Sequence, residues 1–230
     1  VGIIQSNYLP WRGYFDFIAS VDLFIVLDDV QYSTGAWRNR NRIKTPAGPQ
    51  WITVPVRHRL GTLVQDTAID YRRDWMRDHR RSIAQNYARA PFTEDALAML
   101  EAAYAAAPAT ISELNVDLLR RVCGYLEIGT PLRLSAEFPS TGTKTERLIG
   151  LLSAAGATTY VSGPNARAYL DEAQFTSAGI RLEYKAYDYR PYPQLWGPYD
   201  GAVSVIDLIA NCGPGARRLL RSETENSRAA

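Results

Sequence analysis

Cysteine is scarce in this chain: Cys123 and Cys212 are the only two in 230 residues. Two thiols make neither a disulfide framework nor a zinc cluster, which sets the expectation of a reducing, cytoplasmic setting. Histidine is as scarce, with only His58 and His79. No apolar run approaches the roughly 20 residues of a membrane span. No charged-then-apolar leader is visible at the first residues, so no membrane role is expected. Neither sign of charge dominates: 26 Lys and Arg face 24 Asp and Glu, a net charge of +2. That excludes a global field drawing the chain to nucleic acid, and any anion site must be local. No internal repeat and no low-complexity linker divides the chain.

What is abundant is rings. Fourteen Tyr and five Trp carry a flat apolar body and one polar tip, a combination suited to half-wet pockets. Three of them, Tyr8, Trp11 and Tyr14, crowd with Phe15 into "QSNYLPWRGYF" (Gln5–Phe15), directly after the apolar run Val1–Ile4.

Periodicity predicts strand Val1–Ile4, a helix from Tyr14 to Ser20 and a buried strand in "DLFIVLDDV", a βαβ opening. "PQWITVPV" is a third strand. Before it, Arg38, Arg40, Arg42 and Lys44 alternate with Asn39, Asn41 and Ile43, which puts the cations on one face of an extended segment. Helices are expected in "DWMRDHRRSIAQNYARAP", in "FTEDALAMLEAAYAAA" and after the capping box Thr110–Glu113. Strand "LRLS" follows. A second capping box, Thr143–Glu146, opens "ERLIGLLSAAG". Then come strand "TTYVSG", a helix starting at Pro164, strand "IRLEYKAYDY" and helix "SVIDLIANCG". The expected fold class is α/β, a mostly parallel Rossmann-like sheet flanked by helices. One domain is expected over 1–221, with a helical insertion at about 74–128 and a polar tail from 222 to 230.

The loop after the first strand of such a sheet lies where ligands bind. Gln5, Asn7, Tyr8, Trp11 and Tyr14 are therefore either a ring-lined floor for a substrate or an aromatic plug over the sheet. Asp28 and Asp29 close the second strand, and successive strand residues point to opposite faces, so only one enters a pocket easily. Either acid binds or deprotonates a substrate amine, ligates magnesium, or pairs with Arg38 or Arg40. The row Arg38, Arg40, Arg42 grips a phosphate or an acidic carrier helix, or simply protects an edge strand. His79 is a candidate general base, or a satisfied core residue on an apolar helix face. His58 reads as loop. Cys212 is a candidate nucleophile, against which stands its place at a helix C-terminus. Cys123 reads as core. "TGTKTE" lacks the spacing of a phosphate loop.

The segments "QSNYLPWRGYFDFI", "VLDDVQY", "WRNRNRI", "PQWITVPV", "DWMRDHRRSIAQNYARAP", "TYVSGPNARAYLD" and "SVIDLIANCG" together resemble the WbqC-like family, from Gly2 to about Leu220. Ser6 stands where members commonly carry Pro. The resemblance implies attachment of an activated acyl or aminoacyl group to an amine, such as that of an amino sugar, in a polysaccharide or natural-product pathway. The implied donor is a thioester on the phosphopantetheine of an acyl or peptidyl carrier protein, with no bound cofactor. It also places Gln31, Trp37 and Asn39 on family-like motifs facing the pocket, and it adds weight to His79 and Cys212. The first loop is faintly similar to that of nucleotidyltransferases, where a Gly-His pair follows Pro. Here Tyr14 follows Pro10-Trp-Arg-Gly13 and no His is present. The alternatives are therefore an ATP-using ligase of nucleotidyltransferase type and a non-catalytic sugar- or carrier-binding module.

Overall fold

The computed structural model describes residues 1–229. Its central sheet has six strands. β1 (Gly2–Ile4), β2 (Phe24–Val26), β7 (Leu132–Leu134), β8 (Thr159–Ser162) and β9 (Arg181–Tyr184) run parallel, and β10 (Ser227–Arg228) pairs antiparallel on the edge. The spatial order is β10-β9-β8-β1-β2-β7. The chain thus builds outward from β1 in one direction, then returns and builds in the other. In open α/β sheets, such a reversal opens a crevice beyond the carboxyl ends of the strands.

Strand alternation sorts the core into two layers. Ile3 and Ile25, paired in register, face Leu151, Leu152 and Phe175 of α5 (Lys144–Ala154) and α6 (Glu172–Ser177). Phe24 and Val26 face the other way, against Phe15, Phe17 and Ile18 of α1 (Arg12–Ala19). Each fully buried ring or branched chain here contributes roughly 1.5–3 kcal/mol over exposure.

Between β2 and β7 lies more than helices. Hairpin β3 (Arg40–Thr45) with β4 (Gly48–Thr53) and hairpin β5 (Val56–Arg57) with β6 (Ala68–Ile69) precede α2 (Trp75–Asn86), α3 (Thr93–Ala105) and α4 (Ile111–Tyr125). "PQWITVPV" is therefore an antiparallel partner of the arginine-bearing strand, off the central sheet. The Thr110–Glu113 capping box forms in full. The one expected at Thr143 does not: the Thr143 side chain makes no cap hydrogen bond, and Glu146 folds toward Gly142, whose positive φ of 84° brings the chain close. The helix expected from Pro164 is two pieces, a 3-10 turn over Pro164–Ala168 and α6, because Asp171 caps a fresh start at Glu172 by accepting from the Gln174 N–H. Residues 222–229, expected as a loose polar tail, lay β10 against β9. No helix among the described residues is long and apolar enough to cross a membrane.

After β9, residues 185–204 form a long strap without helix or strand that leads into α7 (Val205–Cys212). Unstructured loops of this length inside a packed fold are uncommon and usually functional.

Candidate functional site

Residues 5–11, following β1, are pinned from every side. The Ser6 N–H donates to Asp28 Oδ1 at 2.8 Å, and Asn115 Nδ2 donates to Ser6 Oγ at 3.1 Å. Arg38 donates to the Ser6 carbonyl at 3.1 Å and to Asn7 Oδ1. Asn41 Nδ2 donates to the Tyr8 and Leu9 carbonyls, at 3.2 and 2.7 Å. Leu9 is held at φ 45°, a strained conformation for a branched residue. Such strain persists only where surrounding contacts over-determine it, and here they do. Trp11 then turns its indole back over the start of α1. Gly13 permits this: a Cβ there would lie 2.4 Å from the Trp11 ring.

The pinned loop makes one wall of a cleft of about 260 Å³ lined by Asn7, Pro10, Trp11, Trp37, Asn41 and Ala202. Tyr187 and Tyr189 brace the Trp11 ring at 5.2 and 5.7 Å between centroids. Trp37 is 43% exposed and packs at 5.2 Å on Trp51, which is 44% exposed. The opposite wall is the strap, and β3 holds it. Arg42 donates to the Ala202 carbonyl at 2.9 Å, and Lys44 Nζ donates to Gln194 Oε1 and the Pro198 carbonyl at 2.8 and 2.5 Å. Asp207, wholly buried on α7, accepts from Tyr87, Tyr192 and Gln194 at 2.9, 2.8 and 2.7 Å. Burial pushes its carboxyl upward against these bonds. Arg12, also buried, ties the strap by donating to the Arg190 carbonyl and the Tyr199 hydroxyl. A larger hollow of about 890 Å³ lies between the end of α1, residues 126–130 and residues 217–228. Its walls are polar, and a buried Asp16–Lys185 pair at 2.6 Å lies among them.

The residues singled out from the sequence divide. Asn7, Trp11 and Trp37 line the cleft. Tyr8 is wholly buried, and Tyr14, also buried, donates to the Gln5 carbonyl at 2.9 Å. Gln31 is exposed in an isolated bridge to Leu63, away from the cleft lining. Asn39 is buried and donates to the Val54 carbonyl. The two acids do point to opposite faces, but neither lines the cleft. Asp28 is a clamp, accepting from the Ser6 N–H and from Ser112 Oγ at 2.5 Å. Asp29 accepts from Ser135 Oγ at 2.6 Å and pairs with Arg147. The cationic row is also split. Arg38 turns inward to the first loop, Arg42 and Lys44 hold the strap, and Arg40 lies over Trp51 at 4.4 Å.

His79 lies inside the fold. Tyr8 donates to its Nδ1 at 2.9 Å and its Nε2 donates to the Thr53 carbonyl at 3.1 Å. Burial lowers its pKa to about 4. Such an imidazole is neutral, bonded on both nitrogens and away from the cleft, which leaves it a structural part rather than a base. Cys212 is half-buried at the C-terminal end of α7. Burial, then the nearby Asp207, push its thiol up, the reverse of what a nucleophile needs. His58 is exposed and packs on Tyr32 at 4.7 Å. Among the described residues, no group of three His, Cys, Asp or Glu side chains converges to hold a metal ion.

Pro10, Asn41, Ala202 and the strap were not singled out from the sequence. The strand expected over "IRLEYKAYDY" stops at Tyr184, so Tyr187 and Tyr189 belong to the strap; a signal for the strap existed just beyond, where Tyr192 and Tyr199 alternate with Pro191, Pro193 and Pro198.

A sequence profile described as the WbqC-like protein family matches residues 5–219. The chain is 48% identical over 225 residues to the uncharacterized protein Rv1507c of Mycobacterium tuberculosis, covering 96% of this chain and 97% of that one. No solved structure matches.

Proposed function

This chain belongs to the WbqC-like protein family, and on that premise we propose that it is an amide-forming acyl transferase. In this reading an acyl or aminoacyl thioester on a carrier protein meets the amine of an amino sugar or similar small acceptor, in a cytoplasmic biosynthetic pathway. The observation that carries it is the cleft formed by Asn7 and Trp11 of the loop after β1 with Trp37 from the segment before β3. Two indoles offer flat apolar faces to a ring, and the Asn7 Nδ2, whose amide oxygen is engaged by Arg38, remains a donor for orientation. The strand order, reversing at β1, supports a Rossmann-like plan, with the α2–α4 helices (within 74–128) as an insertion into it.

None of the cleft's lining residues titrates near neutrality, so the chemistry rests on positioning. The amine nitrogen adds its lone pair to the thioester carbonyl carbon. The C–S bond then breaks, and the departing thiolate takes up the proton that the nitrogen sheds. A thioester is already activated, and good orientation alone is worth up to roughly 7–11 kcal/mol. A second reading, a binding module without turnover, draws on the same fact that neither His79, Asp29 nor Cys212 reaches the cleft.

The deciding assay presents a loaded carrier protein and an amino sugar to the chain and reads products by mass. The expected result is a new amide. Cys212→Ala is expected to keep full turnover, since no acyl-enzyme forms. Gly13→Ala is expected to lower turnover at least tenfold by driving the Trp11 ring out of place. Acceptor binding by calorimetry with no amide from any plausible donor would leave only the binding module.

A further inference from the structure

The cleft is small. At about 260 Å³ it falls below the roughly 300–1,000 Å³ of sites that enclose drug-sized ligands. It takes a single ring, and the rest of a larger molecule must lie outside. What lies outside is specific. Trp37 belongs both to the cleft wall and to an exposed ladder on the β3–β4 hairpin. Arg40 stands over Trp51 at 4.4 Å, Trp51 packs on Trp37, and Arg42 lies 5.8 and 6.0 Å from the two rings. Indole and guanidinium planes interleaved in this way make a stacking surface for a flat heteroaromatic base.

The charges of the ladder are also uncompensated. Among the described residues, no carboxylate lies within ion-pair distance of Arg38, Arg40, Arg42 or Lys44, although eleven ion pairs form elsewhere. Arg40 and Arg42 donate to the neutral carbonyls of Gly35 and Ala202, and the Nε of each is buried without a partner. A guanidinium has five donors in a planar fork, the geometry that matches phosphate oxygens.

We propose that the acceptor enters as a nucleoside diphosphate-linked amino sugar. Its sugar ring fills the cleft between Trp11 and Trp37, its diphosphate lies on Arg42 and Arg40, and its base stacks on the Trp37–Trp51 pair. The identity of the base is left free, because every base has a stacking face. Naming an amino sugar rests on the proposed acyl transfer; the nucleoside diphosphate site itself rests on the ladder alone.

The test is a titration of the full chain with UDP, ADP, inorganic pyrophosphate and 4′-phosphopantetheine, by tryptophan fluorescence and calorimetry. The expected result is saturable quenching by a nucleoside diphosphate, weakened by added salt. Pyrophosphate alone binds at least tenfold more weakly. Trp51→Ala and Arg42→Gln each weaken nucleoside diphosphate binding roughly tenfold. Trp51 is exposed, so its variant keeps the fold, which the melting curve checks. No saturation by either nucleoside diphosphate at millimolar concentration overturns the proposal. So does tighter binding of phosphopantetheine, or indifference to both substitutions. Nucleoside diphosphate binding without amide formation would sink the transfer reading and leave this site standing. Amide formation on a free amino sugar without nucleotide affinity would do the reverse.

Discussion

Asp207→Ala is expected to cost roughly 3–5 kcal/mol of stability, or about 10 °C in melting temperature for a chain of this size. Two buried phenols, Tyr87 and Tyr192, and the half-buried Gln194 amide converge on this carboxylate. Deleting it leaves the two buried phenols without an acceptor, whereas Gln194 keeps the Asp200 carbonyl at 2.9 Å, and each unsatisfied buried group costs on the order of 1–3 kcal/mol. The substitution also loosens the strap, since Tyr192 and Gln194 belong to it and Gln194 in turn holds Lys44. Asp207→Asn should fall between, because an amide oxygen still accepts while its NH2 group opposes one of the donors. Thermal denaturation followed by circular dichroism checks this. A loss under about 1 kcal/mol for the alanine variant would show that the two phenols find other partners.

The second large effect is acid sensitivity through His79. Its folded pKa is lowered from 6.5 to about 4 by burial. At pH 7 both folded and unfolded states hold the imidazole neutral. As pH falls below 6.5 the unfolded chain takes up a proton that the folded chain refuses, so stability declines with falling pH until about 4, where the folded state also protonates. The slope has the sign required when the unfolded state binds more protons. A gap of about two and a half pH units corresponds to about 3 kcal/mol. Urea denaturation at pH 7, 5.5 and 4 is expected to show this loss, and His79→Gln, which keeps a donor for Thr53 and an acceptor for Tyr8, is expected to flatten it. By the same token, turnover should show no inflection from this residue near pH 6.5. A clear activity limb at that pH, abolished in His79→Gln, would return the imidazole to the chemistry.

Much of the architecture was legible because periodicity reports burial. Ile3, Ile25, Phe24 and Val26 alternate between two layers, and the helices α2, α3, α4 and α7 repeat their apolar residues at helical spacing. What periodicity does not report is the partner. "PQWITVPV" alternates like a strand, but nothing local says that it pairs with its own neighbour and leaves the central sheet. Polar β10 has no apolar signature, and its pairing with Tyr184 and Glu183 is a tertiary event. The candidate site was half legible. Asn7 and Trp11 announce themselves as large or polar groups beside a first strand, and Trp37 came with the family-like motif before the third. Asn41 and Ala202 do not, because their role depends on which distant segments meet. The same limit left Asp28 and His79 open between a site and a structural part. A buried polar residue reads identically whether it meets a substrate or a serine hydroxyl and a tyrosine. Asp207 carried a signal of its own, an acid inside the apolar run "SVIDLIANC", which requires several donors to be tolerated at all.

The antiparallel pairing of Ser227 and Arg228 with Tyr184 and Glu183 means that the outer flank of β9 is already occupied. Removing everything beyond Arg221 would lay bare a row of backbone amides and carbonyls from Arg181 to Tyr184, a template on which a second molecule can zip. A clipped preparation would therefore self-associate and cloud on standing even with its cleft intact, and light scattering before and after clipping would register the difference.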